Sequence, residues 1–93
     1  MTRSRAELHA RGAEAYKAVA IASVQSNQPD VALRAFDSAR RLDPADASNY
    51  LNVAVLQAQG GDFADARVNA QTALRLHPGY EQAEGLLRAI DGR

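Results

Sequence analysis

The sequence nearly repeats itself at a spacing of 34 residues. When residues 13–46 are laid over residues 47–80 without a gap, 10 of the 34 positions carry the same amino acid. The segment Arg41-Leu42-Asp43-Pro44, for example, returns as Arg75-Leu76-His77-Pro78. A fixed period of about 20 to 50 residues is typical of stacked structural units rather than of one irregular globule. We therefore expect a repeat architecture, whose function depends on its surfaces more than on a catalytic centre.

Composition narrows the classes of partner and compartment. Eleven basic and eleven acidic side chains cancel, so no long-range field draws the chain to nucleic acid or to an anionic membrane. The chain has no cysteine, and hence no disulfide, thiolate nucleophile or cysteine metal cluster. There is no signal-peptide core, and the longest apolar stretch, Ala18 to Ala22, is too short to span a bilayer. We expect a soluble protein or domain with no membrane insertion, and we leave the compartment open with the cytoplasm as the expectation.

Helix start and stop signals predict an all-α chain with very short turns and no strand. Ser4 and Glu7 have the spacing of a capping box at the start of the first helix. Asn27 suits a left-handed residue that ends this helix, and Pro29 suits the first turn of the next. Asp62 is an acceptable N-cap for the fourth helix. The five helices are expected at about residues 5–26, 29–42, 47–60, 62–77 and 80–90.

The repeated residues resemble a known family, the tetratricopeptide repeat. The family's slots are filled here by Tyr16, Val19, Ala20, Ala32, Ala39 and Pro44, and then by Tyr50, Val53, Ala54, Ala66, Ala73 and Pro78. The resemblance implies a right-handed α-solenoid of two helix-turn-helix units, residues 13–46 and 47–80. Residues 1–12 would then extend the first helix at its N-terminus, and residues 81–93 would form a C-terminal capping helix.

The repeat slots carry expectations about packing. Small alanines, such as Ala20 and Ala54, are expected where two helices approach closely, and Tyr16 and Tyr50 are expected to wedge between neighbouring turns. The last helix is expected to cover the fourth with an apolar side, formed by Ala83, Leu87 and Ile90. Its other side, with Glu84 and Arg88 at i, i+4 spacing, is expected to face water as a terminal cap. The alternative is an ordinary third repeat that is cut short.

The sequence also departs from the family pattern. Ser23 and Gln57 stand where the family prefers Tyr, and Arg40 stands where it prefers Leu. Pro29 replaces an aromatic residue that Phe63 keeps. We expect these departures to change local packing without changing the fold.

The resemblance implies a concave groove, lined by the first helix of each unit, in which partner peptides bind. The groove residues projected onto this sequence are Lys17, Ile21, Val24, Gln25, Leu51, Asn52, Val55, Gln59, Gln82 and Leu86, with Glu14, Ala18 and Ser48 beside them. Five of the ten are aliphatic, which is more than a solvated face needs. An apolar peptide, a helix of another protein or a second copy of the chain would suit this surface.

A carboxylate clamp for an acidic chaperone tail is the best-known chemistry of the family. Lys17 and Asn52 match its positions, but Ile21 replaces an Asn, and Gln82 and Leu86 replace the two later cations. Charge-assisted hydrogen bonds to a carboxylate need those cations. We therefore interpret Lys17 and Asn52 as ordinary polar residues of the groove.

Other candidate residues are better explained by structure. Arg3, Arg5 and Arg11 would allow a basic helix that contacts phosphate or an acidic partner, but a solvated helix start explains so short a run. His9 and His77 lack neighbours in sequence that would make them metal ligands or general bases. His77 also suits a helix C-terminus, where a cation is favoured.

No nucleophile signature, phosphate-binding loop or zinc-protease motif occurs in the sequence. We expect no catalytic residue, no metal and no cofactor, and therefore not an enzyme. The leading hypothesis is a protein–protein interaction module that binds a peptide or helix of a partner. Two alternatives are a self-associating structural scaffold and the repeat domain of a longer enzyme or of a secretion or assembly component.

Overall fold

A computed structural model of the chain describes residues 4–93, except for the side chain of Ala6, and this part contains five α-helices and no strand. The helices are α1 (Arg5–Gln25), α2 (Pro29–Leu42), α3 (Ala47–Gln59), α4 (Phe63–Leu76) and α5 (Glu81–Asp91). The all-α prediction is confirmed. Arg3 of the predicted basic segment lies outside the described residues.

The chain divides into two compact units, Met1–Ala45 with α1 and α2, and Asp46–Arg93 with α3, α4 and α5. We call them unit 1 and unit 2. The division falls one residue before the repeat boundary expected from the sequence. Residues 5–12, the expected extension, are the first two turns of α1.

The hairpin turns of the two units have the same backbone hydrogen bond, displaced by 34 residues. In unit 1 the N–H of Gln28 donates to the carbonyl of Ser23 at 2.8 Å, and in unit 2 the N–H of Asp62 donates to that of Gln57 at 2.8 Å. The residue before the donor has a positive φ in both turns, 57° at Asn27 and 86° at Gly61. Glycine adopts this conformation without strain, and asparagine is the next most tolerant residue. The sequence echo therefore extends to the backbone of the two turns.

Side chains cap two of the helices as the sequence predicts. Ser4 Oγ accepts a hydrogen bond from the N–H of Glu7 at 3.2 Å at the start of α1. Asp46 Oδ1 accepts from the N–H of Ser48 at 3.0 Å at the start of α3. Asp62 occupies the N-cap position of α4, but its side chain makes no capping bond. That part of the prediction is wrong, because the Asp62 carboxyl is engaged with Asp65 instead.

Unit 1 is a helical hairpin with a core of small residues. α1 packs against α2, and the buried side chains at their contact faces are Ala13, Ala20, Ala32, Ala35, Phe36 and Ala39. A Cβ at Gly12 would lie 3.1 Å from Leu42 Cδ1, so the absence of a side chain at Gly12 permits a close approach to α2. Tyr16 was expected to be wedged between turns, but it is 45% exposed. It lies to the side of the alanine face that contacts α2.

Unit 2 contains three helices, with α5 packed on both α4 and α3. Its hydrophobic cluster consists of Ala47, Leu51, Ala73 and Ala83, with Tyr50, Val55, Leu74, Tyr80 and Leu86 packed around it. Unlike Tyr16, therefore, Tyr50 is packed against a core. Arg67 of α4 forms an ion pair with Asp91 of α5, and the Arg93 guanidinium lies 3.3 Å from the Phe63 ring centroid. Both contacts tie the end of α5 to α4.

Candidate partner-binding surfaces

Four of the ten predicted groove residues lie on α1 in unit 1. Lys17, Ile21 and Val24 follow one another at helical spacings of four and three, which places them on one side of the helix. Ile21 is 42% and Val24 43% exposed, while Lys17 is half-buried and Gln25 is exposed. We call these four residues the Ile21 surface. It presents two aliphatic side chains between polar neighbours.

The other six predicted residues lie on α3 and α5 in unit 2, and Leu51 differs from the expectation. It is only 7% exposed and belongs to the hydrophobic cluster. The groove prediction placed Leu51 on an open surface, but α5 packs against α3 and covers this position. Leu51 is therefore a core residue, with little area left for a partner.

Val55 of α3 and Leu86 of α5 are half-buried and pack against the same cluster. They are accessible in part, and the polar residues around them differ in exposure. Asn52 is half-buried, whereas Gln59 and Gln82 are exposed. We call these five residues the Leu86 surface. Its apolar part serves mainly to join two helices of unit 2.

The residues predicted beside the groove are exposed or already engaged. Glu14 and Ala18 are exposed on α1. The hydroxyl of Ser48 donates to Asp46 Oδ1 at 2.7 Å, so it belongs to the helix cap. None of the three adds an apolar contact to either surface.

The histidines lie apart from one another in the chain. His9 lines an open depression of about 290 Å³ together with Ala10, Leu42 and Asp43. The ring of His77 lies 4.7 Å from that of Tyr80, centroid to centroid, at a tilt of 32°. Among the residues the structure describes, no three His, Cys, Asp or Glu side chains are grouped so that they could hold a metal ion.

An exposed pair of carboxyl groups at the start of α4 is the one site with a perturbed titration. A side-chain hydrogen bond with Asp62 raises the pKa of Asp65 above its usual 3.8, and the negative charge of Asp62 raises it further. The pair therefore holds a proton more readily than two separate aspartates would. Two exposed acids at a helix N-terminus are not by themselves a ligand site.

Two features were not anticipated from the sequence. Asn49 is fully buried, and neither atom of its side-chain amide has a hydrogen-bond partner. Its spacing from Val53 and Leu56 at i+4 and i+7 would have placed it on the apolar side of α3. On α1, Leu8 and Val19 were assigned to a common side with Tyr16, but more than half of each side chain is exposed. An amphipathic pattern does not say whether another helix covers the apolar side.

Over residues 4–93, none of the helices combines the length and the apolar character needed to cross a bilayer. No protein-family model and no curated protein matches the chain.

Proposed function

We propose that the chain is a non-catalytic protein-binding module and that its two helical hairpins are units of the tetratricopeptide type. The 34-residue echo in the sequence and the two equivalent turns support this proposal. The right-handed solenoid that the resemblance implies remains a prediction. The function proposed below rests on the surface of unit 1.

The observation that supports binding is the exposure of Ile21 and Val24 on the Ile21 surface. Two aliphatic side chains three residues apart on a rigid helix suit the apolar side of a partner helix or an extended apolar peptide. Lys17 and Gln25 flank them and can hydrogen-bond to a peptide backbone. Because α1 is already ordered, the entropic cost of binding falls mainly on the incoming segment.

A displayed library of random peptides provides ligands for the test without knowledge of the natural partner. Selected peptides should lose affinity about tenfold or more for the double variant Ile21→Glu/Val24→Glu, since about 1.4 kcal/mol of lost binding energy gives a tenfold change. Both residues are over 40% exposed, so the helix content should stay unchanged. Isothermal titration calorimetry measures the affinity, and circular dichroism measures the helix content.

Val68→Glu is the matched control, because Val68 of α4 is also an exposed aliphatic residue. It should leave the affinity unchanged. Peptides that bind the Ile21→Glu/Val24→Glu variant as tightly as the unaltered chain would contradict the proposal. A substitution at Leu51 would be a poor test, since a charge in the cluster of unit 2 would destabilise the fold.

A further inference from the structure

A second side of α1 carries an apolar stripe that is separate from the Ile21 surface. Leu8 is 55% and Val19 53% exposed, and Ala15 between them is exposed. Together with Gly12 they follow one another at spacings of four, three and four, which places them on one side of the helix. We call these four residues the α1 stripe. Val19 and Ile21 are two positions apart, so the two surfaces point in nearly opposite directions.

The 34-residue echo shows that the position of Val19 is suited to burial. Its equivalent in the repeat is Val53, the same amino acid at the same place in the first helix of its unit. Val53 is buried, whereas Val19 is exposed. The stripe is therefore a face on which another helix can pack.

The order of side-chain sizes along the stripe points to a second copy of the same chain. Large, small, small and large residues follow at spacings that read the same in both directions. Two antiparallel α1 helices, related by a two-fold axis between positions 13 and 14, place Leu8 against Val19 of the other copy. The same operation places Gly12 against Ala15, where small residues let the helix axes approach closely. Such a self-complementary patch is what a two-fold interface requires.

The charges beside the stripe agree with the same arrangement. Arg11 and Glu14 are exposed on one flank of it. In an antiparallel pair this flank faces its own copy, so Arg11 of each chain lies within about one turn of Glu14 of the other. The two-fold axis produces this opposite-charge contact twice. A parallel arrangement would instead bring Arg11 beside Arg11.

We propose that the chain forms a two-fold symmetric dimer through antiparallel pairing of α1 along the stripe. A contact along one helix is smaller than the interfaces of stable complexes, which bury about 1,200 Å² or more. The dimer is accordingly weak and dissociates on dilution. This proposal does not depend on peptide binding at the Ile21 surface.

Sedimentation equilibrium of the chain from about 10 µM to 1 mM tests the dimer, since an interface at the small end of the range has a dissociation constant at high concentration. The unaltered chain should pass from monomer to dimer over this range. Val19→Glu should weaken the dimer at least tenfold, because the two-fold axis places the new charge in the interface twice. Val68→Glu should leave it unchanged, although Val68 is exposed to a similar degree. A chain that stays monomeric throughout, or a dimer that Val19→Glu leaves intact, would overturn the proposal.

A charge exchange tests the antiparallel register. Arg11→Glu and Glu14→Arg should each weaken the dimer several-fold, since each brings like charges together. The double variant should restore the association of the unaltered chain, because opposite charges then face each other again. Failure of the double variant to recover would overturn the antiparallel arrangement. Ile21→Glu should leave the dimer intact, which separates this result from the peptide-binding test.

Discussion

Two slots of the repeat change together between the units. In unit 1 they hold Ser23 and Ala35, and in unit 2 the equivalent positions hold Gln57 and Asn69. The hydroxyl of Ser23 donates to the Val19 carbonyl of its own helix at 2.8 Å, and Ala35 is buried without a polar group. In unit 2, Asn69 Nδ2 donates to Gln57 Oε1 at 2.8 Å, which joins α4 to α3. The departure from the family pattern at Gln57 is thus accommodated by its partner, because half-buried amides need each other's hydrogen bonds.

A double-mutant cycle should measure this dependence. Gln57→Ala and Asn69→Ala each leave the other amide without its partner, so the sum of the two single losses should exceed the loss in the double variant. We expect a coupling of about 1 kcal/mol, the usual net value of a hydrogen bond between neutral groups. Urea denaturation gives the free energies of unfolding. Gln59→Ala, at an exposed position in the same helix, should change them by less than about 0.5 kcal/mol, and additive losses would show that the pair is not coupled.

At the scale of the helices, α3 and α4 begin in different ways although both follow an aspartate. Asp46 caps α3 by accepting the N–H of Ser48. Asp62 precedes α4, but its side chain hydrogen-bonds with the carboxyl of Asp65. An acid in the first turn normally stabilises a helix through the positive end of its dipole. In α4 that benefit is reduced by the repulsion between two neighbouring carboxylates.

Asp65→Asn should therefore raise the melting temperature at pH 7. The pKa of Asp65 is raised in the folded chain, so the folded chain binds more protons than the unfolded chain just above pH 3.8, and stability falls as the pH rises through that window. An amide at position 65 removes the repulsion at neutral pH and can still donate to Asp62. The gain should shrink as the pH is lowered toward 3.8, where the native carboxyl is itself protonated.

Melting curves followed by circular dichroism between pH 4 and pH 7 check this expectation. Asp30→Asn is the control, since Asp30 lies in the first turn of α2 and its neutralisation removes a favourable dipole contact. That change should lower the melting temperature at pH 7. A lower melting temperature for Asp65→Asn as well would show that the dipole outweighs the repulsion.

Helix bounds were predictable because their signals are local. Ser4, Asn27 and Pro29 act through the backbone within a few residues, and each has the structural role that the sequence suggests. The burial of side chains was less predictable. Leu51 was expected to line an open groove, yet it is in the core because α5, 30 residues later, packs against α3. Tyr16 and Tyr50 fill the same repeat slot with different exposure, which no local pattern can distinguish.

At the scale of the whole molecule, the two units differ in how completely they enclose a core. Unit 2 surrounds its cluster with three helices, while unit 1 is a two-helix hairpin. In unit 1, the helix α1 leaves Leu8, Val19, Ile21 and Val24 largely exposed. Units of this length are close to the lower limit for independent folding, so a third helix has a large effect on stability.

Expressed separately, residues 46–93 should keep a cooperative thermal transition, and residues 1–45 should lose most of their helicity. Isolated helices of this length are marginal in water without tertiary packing. Circular dichroism at 222 nm during heating compares the two fragments directly. Leu51→Ala in the longer fragment should abolish its transition, because removing a buried leucine costs about 2 to 5 kcal/mol, as much as such a small core supplies. If residues 1–45 melt as cooperatively as residues 46–93, then the alanine-rich contact of α1 with α2 is sufficient and the third helix is not what stabilises unit 2.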